Sequence, residues 1–80
     1  MSEAIEIRWF TSEGSDGIYG ITRARFQGKT YLGEEYWYLE SGTEWTPNTG
    51  VRDWYFIGND RVSEITESEA KAYLPDEALS

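Results

Sequence analysis

The sequence predicts a mainly β (α+β) domain: a small, strongly bent antiparallel sheet or SH3-like barrel of about five strands, with one short C-terminal helix. Three observations lead there. Short apolar or alternating segments are separated by glycine-centred turns, which is the pattern of antiparallel β structure. Four Trp, six Tyr and three Phe within 80 residues supply the large buried areas that a thin sheet without disulfides needs. A single capping-box pattern lies close to the C-terminus.

Ile5-Glu6-Ile7-Arg8-Trp9 alternates apolar with charged and reads as a first strand with Ile5, Ile7 and Trp9 toward the core. Thr11 to Gly17 concentrates turn formers and reads as an exposed loop. A second strand runs from Ile18 to Phe26. Gln27-Gly28 then makes a tight hairpin, with glycine where positive φ is required, leading into Lys29–Leu32. Gly33-Glu34-Glu35 is expected to break the chain before Tyr36-Trp37-Tyr38-Leu39, four large residues in a row that predict a strand covered on both faces. Glu40 to Gly50 is polar apart from Trp45 and reads as a long loop. Asp53-Trp54-Tyr55-Phe56-Ile57 repeats the aromatic strand pattern, Gly58-Asn59-Asp60 turns, and Arg61–Ile65 forms a last short strand. Thr66 and Glu69 have the spacing of a capping box for a helix through Leu74, which Pro75 ends. This gives one domain over residues 1–75 and a flexible acidic tail over 76–80.

The chain has no Cys and no His. Their absence removes thiol nucleophiles, disulfides, zinc-thiolate sites and the usual general base near neutral pH. No Gly-rich loop opens a helix with phosphate-binding spacing, and a paired-carboxylate glycosidase needs a deeper cleft than this length builds. A non-enzymatic protein without metal or cofactor is the expectation. The N-terminus has neither a basic n-region nor a long apolar run, which predicts a cytoplasmic protein without a membrane anchor.

The formal net charge is −8, from 15 Asp and Glu against 7 Lys and Arg. Residues 1–33 balance, so the whole excess lies in residues 34–80. Such a chain is repelled by nucleic-acid phosphates and attracted to basic protein surfaces, so direct nucleic-acid binding is not expected. Glu34, Glu35, Glu40, Glu44 and Asp53, with Trp45 as an aromatic anchor, are the candidate partner-binding residues. A solvated rim and a Trp lid over the core are the structural alternatives.

Arg23, Arg25 and Lys29 form a basic island, and Arg23 and Arg25 project from one face about 7 Å apart. With Tyr31 they could hold an anion, such as a signalling nucleotide. Alternatively the two arginines pair across strands with acidic neighbours, such as Glu residues of the first strand or of 34–35.

Three functional expectations follow. The first is a small inhibitor, of the phage or mobile-element kind that includes anti-CRISPRs and DNA mimics, acting on a host defence or nucleic-acid-handling protein through an acidic, aromatic surface. The second is a sponge for an anionic nucleotide, and the third is an assembly module pairing through a sheet edge.

Overall fold

The computed structural model describes residues 3–58 and 60–79. Three long strands form a meander: β1 (Ile5–Gly14), β2 (Gly17–Gln27) and β3 (Thr30–Tyr38). The turns between them depend on Gly17 (φ 111°) and Gly28 (φ 62°), conformations that a side chain would strain. A two-residue β4 (Thr46–Pro47) extends the sheet beside β3 and β5 (Val62–Ile65) beside β1, giving the order β4-β3-β2-β1-β5. Every pairing is antiparallel. The sheet is open, so the mainly β expectation takes its bent-sheet form and not the closed barrel. Pro47 sits on the edge strand, where a missing N–H costs no ladder bond.

Among the described residues three helices accompany the sheet: α1 (Gly50–Ile57), α2 (Glu67–Tyr73) and α3 (Asp76–Leu79). α1 corrects the reading of Asp53–Ile57 as an aromatic strand. Val51 is buried, and Trp54 and Tyr55 pack beside it, an i, i+3, i+4 stripe that belongs to a helix. α3 replaces the expected acidic tail, with Ala78 buried. α2 carries the capping box as read: Thr66 Oγ1 accepts the Glu69 N–H at 3.1 Å, and Glu69 Oε1 accepts the Thr66 N–H at 3.0 Å.

Strand limits also differ. Thr11–Gly14 continues β1, because β5 pairs with Trp9–Ser12 and supplies the backbone partners a loop would lack. Gly33-Glu34-Glu35 continues β3, with a register shift opposite Arg25 and Phe26 and Gly33 at φ 136°; a bulge, not a break, absorbs the glycine. The expected Gly58-Asn59-Asp60 turn includes Asn59, outside the described residues, as is Ser80 of the tail.

Alternation gives the sheet two cores, one per face. Phe10, Ala24, Phe26, Val51 and Val62 pack under α1 with Tyr31, Trp54 and Tyr55. Ile21, Trp37, Ala70, Leu74 and Ala78 pack under α2 and α3 with Trp9, Ile18, Leu39, Trp45 and Ile65. β2 feeds both, which is why Ile21, Thr22, Ala24 and Phe26 are all buried. Each fully buried large apolar side chain contributes roughly 1.5–3 kcal/mol, so Phe10, Phe26 and Trp37 dominate two thin layers. Ile5 and Ile7 share the face of Trp9, but the helices do not reach them, and they stay 58% and 43% exposed, against the expectation that both enter the core. No helix among the described residues is long and apolar enough to cross a membrane.

Candidate functional site

The structure disperses the expected acidic, aromatic set. Glu34 lies on the α1 face of β3 and is only 4% exposed. Its carboxylate accepts the backbone N–H groups of Val51 (3.1 Å) and Arg52 (2.8 Å) and the Tyr31 hydroxyl (2.8 Å). Thr49, the N-cap of α1, makes no side-chain cap bond, so a carboxylate from the sheet satisfies the helix N-terminus and meets its positive dipole end. This corrects its assignment as a partner-binding residue: a buried cap is unavailable to a partner. Burial, seconded by the same bond, pushes the Tyr31 phenol well above its usual range.

Glu35 faces the opposite way, as alternation requires. It takes both terminal nitrogens of Arg25 (2.6 and 2.7 Å) and Nε of Arg23 (3.2 Å). Arg25 donation, seconded by Arg23, holds the Glu35 carboxyl below the usual carboxylate value. The cross-strand alternative is therefore the arrangement found, and the anion-binding set comes apart. Arg23 and Arg25 share one carboxylate, whereas Tyr31 packs on Phe26 in the other core. Lys29 lies exposed in the β2–β3 turn, its carbonyl accepting the Tyr55 hydroxyl at 2.6 Å.

Trp45 is the lid. Its ring packs edge-on against Trp37 (5.5 Å between centroids) and Trp9 (6.3 Å), and its Nε1 donates to the Ala78 carbonyl at 3.0 Å. The Arg23 guanidinium sits 4.0 Å from its centre, a cation–π contact. Of the acidic candidates, Glu40, Glu44 and Asp53 are exposed, Asp53 on α1 and the other two in the loop after β3.

A concave surface forms instead where β1, β2 and β3 meet at the β1–β2 turn. A register shift at Ser12/Glu13 pairs Ser12 with Gly20 and Glu13 with Ile18, leaving Tyr19 as the extra residue of a bulge. Tyr38 stands opposite Gly20, and the Tyr36 ring lies over Gly20, filling the space where any Cβ would be. Tyr19, Tyr36 and Tyr38 form a triangle with centroids 6.3–6.4 Å apart. The Tyr19 carbonyl accepts the Leu39 N–H at 3.0 Å, fixing the bulge to β3. Tyr36 is the inner member: its hydroxyl is buried without a hydrogen-bond partner, and burial pushes the phenol up to about 12. Tyr19 and Tyr38 remain 40% and 39% exposed.

These two line an open cleft of about 530 Å³ with Ser15, Asp16 and Glu40. A second depression next to it is lined by Glu13, Ser15, Asp60 and Arg61. Tyrosine faces beside carboxylates suit a guanidinium or ammonium group, which gains from the rings and the charge together. Sequence reasoning missed Tyr19 because bulges leave no periodic trace; the glycines flanking Ile18-Tyr19 are the available hint. Among the described residues no three Asp or Glu side chains cluster as metal ligands. Comparison of the chain with protein-family models, with curated proteins and with solved structures finds no match.

Proposed function

We propose that the chain is a non-enzymatic binding domain whose acidic, tyrosine-lined end receives a basic segment of a partner protein. The observation that carries this reading is the cleft itself, with Tyr19 and Tyr38 exposed between Asp16 and Glu40. The use of the arginines adds to it. Arg8 is bound bidentately by Glu64, and Arg25 and Arg23 share the Glu35 carboxylate, so these three cations are engaged within the sheet while Asp16, Glu40, Glu44 and Asp53 stay exposed. Aromatic anchors within like-signed charge give both contact area and steering. A partner with a groove that normally holds nucleic acid fits this chemistry, and occupying the groove would inhibit it, as an inhibitor of phage or mobile-element type does.

The test is titration of the isotope-labelled protein with an Arg-rich peptide and with an acidic peptide of equal length, at about 50 and about 300 mM salt. The Arg-rich peptide is expected to shift the amides of Gly17, Tyr19 and Leu39, with affinity falling steeply with salt, and Glu40→Lys with Tyr38→Ala to weaken it. Equal response to both peptides, or shifts confined to Arg23 and Arg25, would refute the reading.

A further inference from the structure

We propose that the open edge of β1, at the end remote from the cleft, pairs antiparallel with the same edge of a second copy of this chain, in the register that sets Glu6 opposite Arg8 of the other copy. β5 covers β1 only from Trp9 to Ser12, and among the described residues no strand pairs with the outer side of Ile5–Arg8. The Glu13 N–H donates to the Arg61 carbonyl on that side. Backbone groups alternate along a strand, so Ile5 and Ile7 aim theirs at the open edge. Their side chains lie on the α2 face, exposed and beyond the helices. An edge with apolar side chains and unpaired backbone groups is a template for strand addition.

Charge selects the occupant and the register. Glu6 and Arg8 lie on the α1 face, where Glu64 of β5 already holds Arg8 through Nε (2.8 Å) and Nη2 (2.6 Å). A two-fold axis through Ile7 sets each Glu6 opposite the other copy's Arg8, and carboxylates then alternate with guanidinium groups across the junction, from Glu64 of one copy to Glu64 of the other. The neighbouring register, two residues away, sets Glu6 directly against Glu6 and is repelled. Ile7 then pairs with Ile7, exchanges both backbone bonds with it, and covers exposed apolar surface on the α2 face. β5 ends opposite Trp9, so pairing is limited to Glu6–Arg8 of each copy. The dimer is therefore weak, with a dissociation constant on the order of 0.1 mM. It is independent of the cleft and its partner.

Sedimentation equilibrium from about 10 µM to about 1 mM protein tests this without any ligand. The expected result is a reversible monomer–dimer equilibrium that Glu6→Lys weakens roughly tenfold, with an unchanged amide spectrum outside β1. Ile7→Cys is expected to oxidise to a covalent dimer, because directly paired residues bring Cα atoms to about 5.5 Å, whereas Glu6→Cys does not. Monomer throughout, an unaffected Glu6→Lys dimer, or cross-linking through Glu6→Cys instead would each overturn the proposal.

Discussion

The Glu34 carboxylate, on the central part of β3, accepts the backbone N–H of Arg52, 18 residues further along the chain, at 2.8 Å and so caps α1 from the sheet. Its other oxygen accepts the Val51 N–H. Glu34→Ala leaves both donors and the Tyr31 hydroxyl without their acceptor, at a cost of about 3 kcal/mol. Glu34→Gln keeps one acceptor oxygen and is expected to cost about half of that. Urea denaturation of the two variants checks the order, and equal stabilities would mean that the cap is not the source.

Trp45→Phe keeps much of the ring packing on Trp9 and Trp37 but removes the donor to the Ala78 carbonyl. The expected loss is about 1 kcal/mol, concentrated in α3. Hydrogen exchange should show faster exchange at Ala78 and Leu79 with little change in β2.

Acid is expected to destabilise the protein through its internal ion pairs. Arg25 holds the Glu35 carboxyl, and Arg8 the Glu64 carboxyl, below the usual value of 4.5. Carboxyls that are more acidic in the folded chain stabilise it fully above that value, and this contribution fades as pH falls through their lowered folded values. The melting temperature should therefore drop below about pH 4.5, and Glu35→Gln should flatten the drop while lowering the plateau at neutral pH.

Alkali acts through a different group. Burial raises the Tyr36 phenol from 10.0 to about 12. A raised phenol leaves stability intact below the unfolded value and removes it as pH rises between the two. Tyr36→Phe also deletes a buried hydroxyl without a partner, so it should be neutral or stabilising by up to about 1 kcal/mol and should reduce the loss of stability between pH 10 and 12 that circular dichroism records.

The parts of this fold legible in the sequence are those set by neighbours along the chain. Gly28 specifies its hairpin, and Thr66 and Glu69 their capping box, within a few residues. Residues 53–57 were misleading because Trp, Tyr, Phe and Ile favour strands locally. The helix forms there because its stripe of Val51, Trp54 and Tyr55 meets Phe10 and Phe26 and because Glu34 caps it, and both contacts are distant in sequence. Glu34 and Glu35 look alike as a dipeptide, yet alternation sends one into a core and the other to two arginines. For the site, cross-strand pairing of Arg23 and Arg25 was readable from charge and period. The Tyr19 bulge was not, since it arises from a register shift between strands.

Pairing of β5 with β1 also sets an order in time. β1, β2 and β3 join through short turns, whereas Arg8 and Glu64 lie 56 residues apart, and closing that loop has the larger entropic cost. During synthesis the outer side of β1 stays unpartnered until Val62–Ile65 emerge, so the nascent chain is most prone to mispairing before β5 joins the sheet. Weakening β5, as Val62→Ala does, should slow refolding and raise aggregation on dilution from urea more than an equally destabilising change in α2.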